Sequence, residues 1–230
     1  MGLVLPWLFD EGKPDQGGML KATWSMNYRS GREGLGTMRI STFHGTPTDA
    51  ATTAFRHTAT NRQHLTGRER HLESGTVIVS KTDVKGVITY VNSAFLEISG
   101  YDEHEVLGAP HSILRHPHMP RSVFKLLWDT IRSGEEVFAY VNNRARNGDH
   151  YWVFAHVTPT VNRTGEIVGF HSNRRAPSPS AIEIITPLYE SIAKVEISGS
   201  RTDAAERGLE YLTSHMSKIG LSYSEFLFSI

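Results

Sequence analysis

Between Val137 and Arg175 the sequence carries three successive runs rich in β-branched and aromatic residues, VFAYVNNRA, HYWVFAHVTPTVN and EIVGFHSNRR. Two turn signals separate them, Arg146-Asn147-Gly148-Asp149 and Arg163-Thr164-Gly165. Glycine there supplies the positive backbone angle that a tight hairpin needs, so the runs fold back on one another as antiparallel strands. A sheet of this kind has a face to bury, and the rest of the chain must supply its cover.

The segment TVIVSKTDVKGVITYVNSAF, from Thr76, offers two more β-rich runs around a Thr-Asp-Val-Lys-Gly turn and predicts a further hairpin. Short helical pieces follow around Ser93 to Ser99, stopped by Gly100, and around His104 to Leu107, with Gly108 and Pro110 beyond. Residues 120–133 predict the clearest helix: Pro120 suits its first turn, Val123, Phe124, Leu127, Trp128 and Ile131 share a face, and Gly134 ends it. The order of elements is α+β: a five-stranded antiparallel sheet with short helices and one longer helix packed on one face.

This domain is expected to span residues 75–176. Residues 1–74 read as an N-terminal extension, partly flexible, rich in Gly, Thr, Ser and Asp, with a short cap helix near 53–74. After the APSPS boundary at Ala176 to Ser180, residues 177–230 predict a linker and two helices. The first starts with a Ser180/Glu183 capping box, runs to about Val195 and kinks at Pro187. The second, Asp203 to Ile219, sets Ala205, Leu209, Leu212, Met216 and Ile219 at spacings of four, three, four and three. That narrow seam either packs on its own domain or dimerises.

Lys+Arg and Asp+Glu balance at 24 each, which removes any global field for nucleic acid. With no cysteine, disulfides, thiolate metal sites, thiol nucleophiles and cysteinyl-flavin photochemistry are excluded. The apolar start MGLVLPWLF is broken by Pro6 and lacks a basic leader, so the reading is of a cytoplasmic chain without a membrane anchor. No Gly-x-Ser-x-Gly, phosphate loop or nucleophile and base pair is present, so it is not read as an enzyme.

Two strings are specific enough to carry a resemblance: Arg115-His116-Pro117-His118-Met119-Pro120 before the long helix, and Asn143-Arg144-Ala145-Arg146-Asn147-Gly148-Asp149-His150-Tyr151-Trp152-Val153 across a hairpin. With Ile98-Ser99-Gly100-Tyr101 and Pro187-Leu188-Tyr189, they make residues 76–192 similar to the PAS domain of bacterial aerotaxis receptors. The resemblance implies a PAS fold, noncovalent FAD, and a sensor that reports redox or oxygen state to a signalling protein. Pairing of two copies through the flanks or C-terminal helices is a second expected contact.

Positions matching the family's flavin-binding residues are Asn92, Arg115, His116, Trp128 and Asn143; His118 stands where the family motif has an acid, and Val137 where it often has tryptophan. In that reading Trp128 walls the ring, the amides of Asn92 and Asn143 address its polar edge, and Arg115 with His116 addresses phosphate. Each residue also has an ordinary structural reading: core for Trp128, a cap or turn for Asn92, a strand-edge hydrogen bond for Asn143. His118 and Val137 favour the alternative of a flavin-free PAS adaptor. His111, His116 and His118 leave room for a haem-binding sensor.

Overall fold

The computed structural model describes the backbone of Ser25–Arg29 and Leu35–Arg39 and all of residues 64–230. Within residues 1–61, strands β1 (Ser25–Arg29) and β2 (Leu35–Arg39) pair antiparallel, with Ser25 opposite Arg39.

The second unit, from Arg62 to Ile230, is built on β3 (Ile78–Thr82), β4 (Ile88–Val91), β5 (Val137–Arg144), β6 (His150–Val161) and β7 (Ile167–Arg175). Their order is β4-β3-β7-β6-β5, with every neighbouring pair antiparallel, so the chain's return places β7 beside β3. The β5 to β6 turn holds Gly148 at φ 95°, and a Cβ there would run into the His64 carbonyl oxygen, so both conformation and space require glycine.

Helices α1 (Ser93–Ser99), α2 (Glu103–Val106) and α3 (Arg121–Arg132), with a 3-10 turn at His111–Leu114, cover the inner face of the sheet. Beneath them Ile78, Ile88, Phe95, Val106, Leu114, Val123 and Val153 are all but removed from solvent. Burial of each larger apolar side chain contributes roughly 1.5–3 kcal/mol.

Beyond the sheet the chain forms three helices rather than two: α4 (Pro179–Ile197), α5 (Ala204–Ile219) and α6 (Tyr223–Ser229). Ser178, not Ser180, caps α4 by accepting from the Ala181 N–H at 3.1 Å, because Pro179 occupies the first turn, where its missing N–H costs nothing. The buried face of α5 is Ala204, Gly208, Leu212 and Met216, while Ile219 is exposed, and α5 packs on α3 and α4 of its own chain. Two small residues move this seam off the one expected from the large apolar side chains.

The expected cap helix near 53–74 is corrected in part, its first residues, 53–63, lying outside the described ones. From His64 the chain runs without helix, and Glu69 bridges His150 in parallel. One buried carboxylate fixes this path: Asp149 accepts from Thr66 Oγ1 at 2.6 Å, Asn147 Nδ2 at 2.9 Å, and Arg70 Nε and Arg68 Nη2, both at 3.0 Å. Those hydrogen bonds, Thr66 first, hold its carboxyl well below the usual carboxylate range. The folded carboxylate therefore keeps its charge below the ordinary aspartate range, and the stability it contributes, complete above that range, is lost progressively as pH falls through it toward strong acid. Asp149→Ala is expected to speed tryptic cleavage after Arg68 and Arg70 on the order of tenfold, the strands staying resistant, as read by timed digestion and mass analysis.

Candidate functional site

Between the inner face of the sheet and α3 lies a cavity of about 500 Å³, a size typical of sites that hold small molecules or cofactors. Alternation along the strands aims Val141 and Asn143 of β5, Ala155 and Val157 of β6, and Phe170, Ser172 and Arg174 of β7 at it. The floor is hollow because small side chains meet across the ladder: Ser80 lies opposite Ser172, and Ala155 opposite Ala139. The roof is the apolar side of α3, with Phe124, Leu127, Trp128 and Ile131.

Trp128 meets the Phe170 ring edge-on at 5.5 Å between centroids and carries the Arg132 guanidinium 4.9 Å from its own. Gly86 lies against the indole, and a Cβ there would come within 2.8 Å of it. The wall is thus apolar and closely fitted.

Its charges are one-sided. Lys85, Arg115, Arg121, Lys125, Arg132 and Arg174 line the cavity, and none of its lining residues is Asp or Glu. Lys125 is engaged by Asp129 at 3.0 Å. Arg174 is the unusual one: 5% exposed, it has no carboxylate within ion-pair distance among the described residues. Its Nη2 donates to His111 Nε2 at 2.7 Å and to Ser80 Oγ at 2.9 Å, while Nη1 has no partner.

Burial lowers the Arg174 pKa to about 10, which still leaves it charged at neutral pH. Burial first, and Arg174 second, push His111 down to about 3. His111 is therefore a neutral acceptor at Nε2, with its proton on Nδ1. Ser172 Oγ and Asn143 Nδ2 are likewise buried without partners. Three unsatisfied polar groups on one apolar cavity are costly unless a ligand completes them. The set fits a flat, largely apolar ring with a polar, electron-rich edge.

Of the residues expected from sequence, Arg115, Trp128 and Asn143 line this cavity. Arg115 bridges Asn143 through its backbone and rests its guanidinium 4.4 Å from the Phe124 ring centroid. Asn92, His116 and His118 are not among the lining residues. The Asn92 amide is spent on structure: Oδ1 accepts from Val79 N and Phe95 N, and Nδ2 donates to the Val77 carbonyl, pinning β3 to α1.

His116 follows Arg115 in extended backbone, so the two side chains leave on opposite sides. It is buried beside His118 and His150, with ring centroids 4.9 and 5.7 Å away, and burial first, then His118, lowers it to about 4. His118 is exposed and gives its backbone N–H to His116 Nδ1 at 3.3 Å. Among the described residues no three His, Cys, Asp or Glu side chains gather as a metal site.

Sequence reasoning missed Ser80, Ser172 and Arg174, and weighed His111 only as a metal or haem ligand. The available signal was period 2 along β7, which turns Phe170, Ser172 and Arg174 to one side.

Residues 67–173 match the family model described as PAS fold. The chain is 39% identical over 129 residues to the aerotaxis receptor of Escherichia coli (strain K12), a match covering 56% of this chain and 25% of that protein. It is 30% identical over 109 residues to the nitrogen fixation regulatory protein of Klebsiella pneumoniae, covering 47% of this chain and 22% of that one. It thus spans about a quarter of the length of these curated relatives. A solved structure, the light state of the blue-light photoreceptor Aureochrome1 LOV, matches with 23% identity and a TM-score of 0.44, over 48% of this chain and 88% of that chain.

The Arg174–His111 pair makes stability depend on pH. In the folded chain His111 stays neutral down to about 3, whereas unfolded it takes a proton near 6.5. Between those values the unfolded state binds more protons, so stability falls as pH falls, by on the order of 3 kcal/mol at pH 4. His111→Gln, which keeps an acceptor for Arg174 but does not titrate, is expected to make the pH slope shallower in urea unfolding at pH 7, 5.5 and 4, the remainder coming in part from buried His116, whose pKa is also lowered.

Proposed function

We propose that this chain, whose residues 67–173 are a PAS domain, is a cytoplasmic sensor module that holds a flavin, FAD, noncovalently under α3 and reports its redox state to a signalling protein. The observation that carries this is the set of unpartnered groups, Asn143 Nδ2, Ser172 Oγ and Arg174 Nη1, on a cavity roofed by Trp128. Similarity to an aerotaxis receptor and to a nitrogen fixation regulatory protein supports a signalling role.

Trp128 and Phe170 would flank the ring, and Asn143, Ser172 and Arg174 would meet its polar edge. The exposed Lys85, Arg121 and Arg132, with half-buried Arg115, give the rim the positive charge that phosphate oxygens require. A bound flavin supplies reversible electron uptake at a potential set by nearby charge. Arg174 would favour the state with more negative charge on the ring, while His111, already an acceptor for Arg174, keeps that guanidinium in place.

This reading assigns no substrate chemistry, and the chain is not proposed to be an enzyme. Among the described residues no helix is long and apolar enough to cross a membrane. The flavin-free adaptor, favoured by His118 and Val137, leaves the Arg174 charge buried without compensation. A haem sensor would have to take His111 Nε2 from Arg174.

Absorption bands near ~370 and ~450 nm that bleach with dithionite, and FAD released on denaturation, are the expected result for purified protein. Arg115→Ala and Asn143→Ala should each weaken FAD binding about tenfold in a fluorescence titration, the order expected for loss of one hydrogen bond to the cofactor. A Soret band would turn the reading to haem, and a featureless spectrum that added FAD leaves unchanged would turn it to the adaptor.

A further inference from the structure

Helix α3, the roof of the cavity, begins at Arg121 after Pro120, which offers no side-chain cap. Its first N–H groups need acceptors, and these come from the C-terminal helices. Glu196, in the last turn of α4 and 7% exposed, accepts the Ser122 N–H on Oε1 and the Arg121 N–H on Oε2, both at 2.8 Å.

The third helix closes on the same point. A Cβ on Gly208 of α5 would come within 2.7 Å of both Glu196 Oε1 and Ser122 Oγ, so only glycine lets α5 approach. Beside it, Arg207 Nη2 donates to the carbonyls of Glu196 and Ser200 at 2.8 Å each, tying the end of α4 to α5. Three helices therefore meet on one carboxylate, which belongs to none of the cavity's lining residues.

We infer that Glu196 couples the cavity to the C-terminal helices, making the placement of α3 and the docking of α4 and α5 one equilibrium. Phe124 lies two residues past the capped Ser122 N–H and Trp128 six, both on the rigid helix that Glu196 seats. Displacement of the roof strains the two hydrogen bonds to Glu196, and release of α4 and α5 removes the cap and frees the roof. That a ligand exploits this coupling rests on the cofactor reading above; the coupling itself does not.

Hydrogen exchange on the full chain, with and without added FAD, tests both parts. In Glu196→Gln one acceptor oxygen becomes an amide nitrogen, so one of the two N–H groups loses its partner. Arg121 and Ser122 amides should exchange about five- to tenfold faster, as expected for loss of one N-cap. Amides across α5 and the last turns of α4 should accelerate with them, while β5, β6 and β7 stay protected. Gly208→Ala should give the same pattern from the other side, its methyl crowding the carboxylate and Ser122 without altering the carboxylate's charge or acceptor oxygens.

Acceleration confined to Arg121 and Ser122, in either variant, overturns the coupling. With FAD, exchange in α5 should slow in the native chain, and Glu196→Gln should weaken FAD binding by the factor through which that slowing is lost, since coupling is reciprocal. If FAD does not bind, the unliganded exchange still decides the coupling and only the flavin reading falls. If FAD binds and α5 exchange is unchanged, the flavin reading stands and the route through Glu196 is overturned.

Discussion

Strands β5 and β6 are apolar on both faces, and the rest of the chain is arranged to satisfy them. Val141, Val153 and Ala155 face inward, where α1 to α3 cover them, but Phe138, Tyr140, Trp152 and Phe154 face the other way. The inner helices cannot reach that side, so the chain must return with further helices to remove it from water. Phe228 of α6 packs 4.8 Å from Phe138 and 5.8 Å from Phe154. From α4, the Tyr189 hydroxyl donates to the Tyr140 carbonyl at 2.9 Å and contacts the Tyr223 hydroxyl at 2.8 Å. Burial pushes both hydroxyls up, so they remain protonated donors. Because these helices engage β5, the edge strand, the end of α4 is carried to α3, where Glu196 finds the bare N–H groups.

The cavity follows from an opposite choice on the inner face. Serine and alanine across β3, β7 and β6 leave a hollow that α3 roofs with large rings instead of filling it. A core optimised for stability alone would place a leucine there and no arginine, since a buried unpaired charge costs several kcal/mol. Keeping Arg174 charged against that cost, on a neutral His111, is a local violation of packing rules, and such violations concentrate where a ligand is expected to complete them.

The sheet and α3 were legible in sequence because their signals are local: period 2 in the strands, a turn glycine at each hairpin, an apolar stripe on the helix. The flanks were less so. The α5 seam is set by Ala204 and Gly208, whose small size serves close approach and carries no hydropathy signal. The start of α6 was legible, in the Ser222 and Glu225 capping box, and was not read. Residues 64–71 have no period of their own; their path is held by Asp149, about eighty positions along the chain. In the site, Trp128, Arg115 and Asn143 come together, but motif adjacency could not show that Arg115 and His116 point apart. Arg174 escaped notice because an arginine near a strand end reads as solvated until pairing with Ile78 and Ala155 shows how deep it lies.

Both flanks of the domain converge on the hairpin that also carries the cavity's unpaired amide. The N-terminal segment is held at Asp149 and His150 in the turn, and α4 and α6 are held at Tyr140. Asn143 lies between these two anchors on β5, and its backbone bridges Arg115, whose loop runs directly into the start of α3. A hydrogen bond gained or lost at Asn143 Nδ2 therefore acts on a strand that is fixed at both ends to the domain's flanks. It also acts, through Arg115 and Pro120, on the helix that Glu196 seats. A packed interior deforms little, so a small shift at this amide is relieved at its polar anchors, where hydrogen bonds exchange partners at lower cost than side chains repack. Two carboxylates that lie outside the cavity, Asp149 and Glu196, thus tie the β5–β6 turn and α3 to the segments before and after the domain.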